Sequence, residues 1–164
     1  MSKVRPAYDA SADKLKGKDV LVYINYGETA TYEAPAWCLI GGQTDAKYDI
    51  KADSIDGSNK SSNGWGETYA GIKTTELDLE GVRGKSDEGL VALRDAFVND
   101  EKVDIVRYAT DGTAERNWYS ITDFSDSTPH DDMATFSVTL EGVGKPKFYS
   151  GLSSLSEVTG SAGA

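Results

Sequence analysis

Tyr119-Ser-Ile-Thr-Asp-Phe-Ser-Asp-Ser-Thr-Pro-His-Asp-Asp-Met-Ala-Thr-Phe-Ser-Val-Thr-Leu-Glu-Gly-Val-Gly-Lys-Pro146 reads as two extended runs around an acidic, proline-containing turn. In the second run Phe136, Val138 and Leu140 alternate with Ser137, Thr139 and Glu141. That period of two belongs to a strand with one buried and one wet face. Its ending, Leu140-Glu-Gly-Val143, repeats Leu79-Glu-Gly-Val82, which closes another alternating run. There Leu77 and Leu79 face one way, and Thr74, Glu76, Asp78 and Glu80 face the other. Three carboxylates in one row repel one another unless water or cations reach them, so that face must be wet.

Outward from these two runs, further strands are expected at Asp19–Tyr26, Trp37–Ile40, Lys102–Ala109 and Glu115–Phe124. Asp111-Gly112 between the last two is a hairpin signal. Gly41-Gly42 halts or bends the Trp37 run, and Gln43–Ile50 alternates weakly enough to be its continuation. Residues 53–67 are mostly Ser, Asn, Asp, Gly and Lys around Trp65, a long loop for a small domain. One helix is expected over about residues 87–99, capped by Ser86 or Asp87, with Leu90, Leu93 and Phe97 as its apolar stripe beside Val91 and Val98. The resulting fold is mainly β (α+β): an antiparallel β-sandwich or barrel with one packed α-helix. Residues 1–17 read as a flexible arm, 18–146 as the β domain and 147–164 as a second flexible arm, which only Phe148, Tyr149, Leu152 and Leu155 are suited to anchor.

The chain has 164 residues, enough for one domain with a real core, and its 27 acidic against 17 basic residues give a net charge of −10. An acidic chain without a cationic patch has no general affinity for nucleic acid, although it can stand beside DNA without adhering. A single cysteine, Cys38, excludes an intramolecular disulfide and a multi-cysteine zinc site, and reads as a small buried hydrophobe. No run approaches the length of a membrane span, and the N-terminal residues lack the apolar core of a secretory signal, which implies a reducing cytosol at first.

Catalytic chemistry finds little support. His130 is the only histidine, and no nucleophile elbow accompanies it. Asp123, Asp126, Asp131 and Asp132 supply oxygen ligands in principle, but their spacing does not match a calcium loop, and Asp and Ser are ordinary turn residues. Nucleotide-binding glycine patterns and zinc-binding histidine pairs are absent. No catalytic residue, cofactor or metal is expected.

With these residues set out, the chain resembles the major tail proteins, or tail tube proteins, of bacteriophages with long, flexible, non-contractile tails. The resemblance is carried by Gly17-Lys-Asp-Val-Leu21, Ile40-Gly-Gly-Gln-Thr44, Lys51-Ala-Asp53 and Asn63-Gly-Trp-Gly66. The Leu-Glu-Gly strand end before the helix and the segment Asp123-Phe-Ser…Pro129-His-Asp-Asp-Met-Ala-Thr-Phe-Ser-Val-Thr-Leu140 add to it. It covers roughly residues 17–146, and the order and spacing of the pieces are its specific part. It implies a structural virion protein that forms hexameric rings stacked into a tube, assembled in the host cytoplasm. The implied partners are other copies of the chain, a tape measure protein, and tail terminator and distal tail proteins, with genome DNA passing through the lumen and no membrane.

Glu76, Asp78, Glu80, Thr139 and Glu141 are the candidates for lining the lumen. Trp65, Tyr69, Lys60 and Asn63 are the candidates for contacts between rings or subunits. The alternative is a carbohydrate- or host-surface-binding β domain, for which exposed aromatics and Asp-rich loops are suited.

Overall fold

The computed structural model describes residues 6–7 and 13–159. Seven strands form one sheet: β1 (Val20–Asn25), β2 (Trp37–Leu39), β3 (Gln43–Asp56), β4 (Thr68–Val82), β5 (Val103–Ala109), β6 (Ala114–Ser127) and β7 (Thr135–Tyr149), with helix α1 (Glu88–Val98) between β4 and β5. Every neighbouring pair is antiparallel, in the order β2-β1-β5-β6-β7-β4-β3. The strand-dominated antiparallel fold with one packed helix is therefore as expected, built as a single open sheet.

Gln43–Ile50 does not continue the Trp37 strand. β2 and β3 lie at opposite edges of the sheet although only Ile40–Gly42 separates them. Gly42 makes the change of direction, with φ at +71°, and its carbonyl accepts from Val82 N–H at 2.8 Å. A Cβ there would lie 2.0 Å from Val82 O, so only glycine fits. So short a link brings β3 close to β1, and the Gln43 side chain bridges the two strands. Val22 N–H donates to Gln43 Oε1 (3.1 Å), and Gln43 Nε2 donates to Val22 O (2.8 Å). One side-chain amide thus stands in for a rung of strand pairing where no ladder forms.

The main core lies on the sheet face that α1 covers. Leu77, Leu79, Val138, Leu140 and Phe136 meet Val22, Ile24 and Ile105 there, beneath Leu90 and Leu93 of the helix. Each such side chain contributes roughly 1.5–3 kcal/mol on burial. Asp87 caps the helix, its Oδ1 accepting from Leu90 N–H at 3.2 Å. The buried stripe differs from the expected one. Ala92 and Ala96 face the sheet with Leu90 and Leu93, while Phe97, Val91 and Val98 are partly exposed. Small side chains at this spacing let the helix approach β6, which turns the larger residues outward.

A smaller cluster covers the back of β5 and β6. Val106, Ala114, Tyr149 and Val158 are buried in it, with Trp37, Leu152 and Leu155 against them. Trp37 Nε1 donates to Val158 O at 3.1 Å. The boundary expected at residue 146 thus falls inside β7, and Val158, absent from the expected anchors, is completely buried, whereas Phe148 is exposed. Most of residues 1–17 and the last five residues lie outside the described part. Cys38 is half-buried against the main core rather than enclosed, and burial pushes its thiol pKa up.

Candidate assembly surfaces

Strand alternation puts Glu76, Asp78 and Glu80 opposite the face carrying Leu77 and Leu79. Pairing of β4 with β7 sets Glu76 against Glu141 and Asp78 against Thr139. Residues directly opposite on antiparallel strands share a face, so all five candidate wet-face residues form one contiguous patch. β3 extends it, with Asp45, Lys47 and Asp49 opposite Glu80, Asp78 and Glu76. Lys47 and Lys51 both reach Asp49 Oδ2, at 3.3 and 3.8 Å, and the hydrogen bond and charge of Asp49 raise the Lys47 pKa. The sequence alone does not reveal these lysines, because Gln43–Ile50 alternates too weakly to mark a strand of its own. The patch remains acidic, with like charges directly opposed at Glu76 and Glu141.

The glycines of the repeated Leu-Glu-Gly endings sit where neighbouring atoms leave no room for a side chain. A Cβ on Gly81 would meet Gly42 O at 2.3 Å, and one on Gly142 would meet Thr75 Oγ1 at 1.7 Å. The repeat therefore marks two crowded spots on the core side of acidic strands, Gly81 against another main chain and Gly142 against the Thr75 and Asn117 side chains.

β3 and β4 run beyond the rest of the sheet. β4 pairs with β7 only over Glu76–Val82, whereas β3 and β4 stay paired out to Asp56 and Thr68. The loop expected at 53–67 is accordingly shorter, residues 57–67, and well organised. Asn59 and Ser62 cap a turn at Lys60–Ser62, Asn63 takes a left-handed conformation (φ 52°), and Trp65 N–H donates to Ser62 O at 3.0 Å. The Asp56 carboxylate accepts from Ser58 N–H at 2.9 Å, which holds its pKa below the usual range. Trp65 is 80% exposed, and Tyr69, Ile50, Ile55 and Ile72 are exposed with it. Tyr69 pairs with Ile55 across the strands. So much bare apolar surface on one projecting hairpin makes it a candidate interaction site. The sequence does not single out the three isoleucines, because Ile50 and Ile72 have the ordinary look of strand core residues and Ile55 falls in a stretch that reads as loop.

A third feature had no sequence signal. Arg116 and Asp104, 1% and 3% exposed, form a buried ion pair, with Arg116 Nε donating to Asp104 Oδ1 at 3.0 Å. Arg116 Nη2 also donates to Tyr32 O (2.8 Å), and its guanidinium lies 3.9 Å from the Tyr32 ring centre. Asn25 Nδ2 donates to Asp104 Oδ2 (3.0 Å) and Thr31 O (2.9 Å), and Ala36 N–H donates to Asn25 Oδ1 (2.9 Å). Together they clamp the segment joining β1 and β2 to the sheet.

His130 is exposed in the turn between β6 and β7. Asp132 Oδ1 accepts from Met133 N–H, while Asp126 pairs with Arg83. Among the described residues, no group of three or more His, Cys, Asp or Glu side chains is placed to hold a metal ion, and no helix is long and apolar enough to cross a membrane.

An acidic sheet face, a 14-residue edge strand, β3, paired only with β4, and an apolar projecting hairpin suit a structural subunit in contact with other chains. The family model for phage tail tube proteins matches residues 14–148, and the chain belongs to that family. It is a structural, tube-forming protein. No curated protein matches the chain in sequence.

Among solved structures, the chain is similar to a subunit in the tail of an empty gene transfer agent particle, determined with C6 symmetry (21% identity, TM-score 0.70, covering 82% of this chain and 98% of that one). It is also similar to the SPP1 tail tube (15%, 0.71, 87% and 83%) and to a chain of the anti-feeding prophage baseplate (8%, 0.59, 90% and 97%). At these identities the likeness is one of fold.

Proposed function

We propose that the chain assembles into hexameric rings that stack into the tube of a long, non-contractile tail, through which the genome passes on ejection. The observation that carries the lumen assignment is the continuous carboxylate face across β3, β4 and β7, on the opposite side of the sheet from the helix and main core. Glu76, Asp78, Glu80, Thr139 and Glu141 line the lumen in this reading. Their charge repels phosphate, so DNA slides past rather than adheres. The hairpin residues Trp65, Tyr69, Lys60 and Asn63 reach a neighbouring subunit, where burial of Trp65 contributes to the contact. A tape measure protein fills the lumen during assembly in the host cytoplasm, and tail terminator and distal tail proteins cap the two ends. No enzymatic step belongs to this role.

Electron microscopy of the purified protein tests the reading. Tubes with a regular axial repeat and six subunits per ring are expected, with the carboxylates pointing inward. Discrete particles without tubes would sink the assembly reading, and tubes with Glu76 and Glu141 on the outer wall would sink the lumen assignment alone.

A further inference from the structure

Three places in the chain set a side-chain carboxyl or amide directly before a glycine: Asp56-Gly57, Asn63-Gly64 and Asp111-Gly112. At such a pair the glycine nitrogen can attack the side-chain carbonyl carbon and close a cyclic imide. Glycine favours the attack because it has no side chain to hinder the approach. The fold treats the three places differently.

Both aspartates are held back. Ser58 N–H donates to Asp56 Oδ1 at 2.9 Å, and Gly57 N–H donates to Glu67 O at 2.9 Å. Thr113 N–H and its hydroxyl donate to Asp111 Oδ1 at 3.0 and 2.6 Å, and Gly112 N–H donates to Ala109 O at 3.1 Å. The bonds to the carboxylates keep both pKa values below the usual range, and an ionised carboxylate resists a nucleophile. In each pair the attacking nitrogen is also tied to another carbonyl.

Asn63 has neither restraint. Its side chain is a neutral amide at the surface, and among the described residues neither that amide nor Gly64 N–H makes a hydrogen bond. Asn63 and Gly64 have φ of 52° and 82°, and Trp65 N–H donates to Ser62 O, which makes a type I′ turn. With ψ at 40° the Gly64 nitrogen is not aligned on the Asn63 amide, so the turn must open before the ring closes. Little opposes the opening, since a Cβ on Gly64 would meet nothing within 4 Å.

The reaction balances with water alone. The Gly64 nitrogen bonds to Asn63 Cγ, and its proton leaves with the side-chain nitrogen as ammonia. Water then adds to one of the imide carbonyl carbons and breaks that carbon's bond to nitrogen. One opening leaves an ordinary aspartate at position 63, and the other leaves isoaspartate, whose main chain runs through Cβ. Either product puts a carboxylate beside Trp65, and the lengthened main chain of isoaspartate breaks the Ser62–Trp65 turn.

We propose that Asn63 is a site of spontaneous deamidation, and that the change disables the projecting hairpin of subunits that stay unassembled. The second half rests on the tube reading, in which Asn63 and Trp65 meet a neighbouring subunit. A neighbour that holds the turn closed by about 1.4 kcal/mol slows the reaction ~10-fold.

Peptide mapping by mass spectrometry tests both halves. Full-length protein below its assembly concentration and protein in tubes are incubated side by side at mildly alkaline pH, and isoaspartate is detected by enzymatic methylation. In the free chain, conversion at position 63 should outrun that at Asn59, Asn99 and both Asp-Gly pairs ~10-fold or more, a barrier difference of about 1.4 kcal/mol. In tubes it should be ~10-fold slower. Aged chain should need ~10-fold more protein to form tubes than fresh chain, because like charge added at a contact is costly. Asn63→Gly suits the same turn and has no amide to lose. Fresh and aged samples of that variant should assemble alike. Conversion at position 63 no faster than at Asn59 overturns the deamidation site. Equal rates in tubes and free chain, or aged wild type that assembles like fresh, overturn its link to assembly. Absence of tubes would refute the tube reading and that link with it, while the free-chain map would still decide the site.

Discussion

Arg116 is the side chain whose removal has the most to disturb. Its guanidinium neutralises a carboxylate that only 3% exposure leaves almost dry, and it ties Tyr32 to the sheet. Arg116→Met strands Asp104 as an unpaired buried charge and should cost ~3–5 kcal/mol in urea denaturation. Adding Asp104→Asn should recover part of that loss. Tyr119 gives a second handle. It is 3% exposed, and burial, reinforced by Tyr48, raises its hydroxyl pKa far above the ordinary tyrosine value. A raised folded pKa means that the native state holds this proton more tightly than the unfolded chain. Its contribution is fully present below about pH 10, the unfolded value, and is lost progressively as pH rises above that. Thermal melts from pH 9 to 11 should show falling stability, and Tyr119→Phe should flatten the fall.

At the scale of elements, the two Leu-Glu-Gly endings and the β3–β4 hairpin divide the work. Gly81 lies where the β4 backbone passes the Gly42 carbonyl, so Gly81→Ala forces two main chains apart and should destabilise by ~3 kcal/mol, at the upper end of overpacking costs. Calorimetry checks it. The hairpin beyond Thr74 contributes little to the core, since its strands pair only with each other. Deleting residues 58–66 and closing the strands with Asn-Gly should leave a cooperatively folded chain that no longer forms tubes. Wild-type tubes from that deletion would remove the hairpin from assembly. How far the site was legible is clearest here. Trp65 and Tyr69 stand out in a polar stretch, so the sequence exposes them as oddities. Ile50 and Ile72 do not, because an isoleucine in a strand is ordinary until its strand is seen to leave the sheet, and Ile55 is hidden in a stretch that reads as loop.

For the whole molecule, the open sheet and the net charge of −10 decide the behaviour. Like charges at Glu76 and Glu141 are set directly across one strand pair, and copies brought together multiply the repulsion. Salt screens such exposed charges over about 8 Å at physiological ionic strength, so tube yield should rise as salt is added. The Glu76→Gln/Glu141→Gln variant should reach the same yield at lower salt, and an unchanged profile would mean that this carboxylate pair stays apart and solvated in the assembly.

Local patterns by themselves determined six of the seven strands, the buried and wet faces of β4 and β7, the single helix and the Asp111-Gly112 hairpin, because those signals repeat every two or 3.6 residues or sit in one turn. The resemblance in the order of its motifs pointed to the tail tube family, which the family match then established. Tertiary structure alone decided that β2 and β3 occupy opposite edges, that Glu76 meets Glu141, that Val158 closes a second core, and that Arg116 finds Asp104. Pairing across 12 to 121 residues depends on which backbone edges and side chains meet in space, and no local pattern of residues records that.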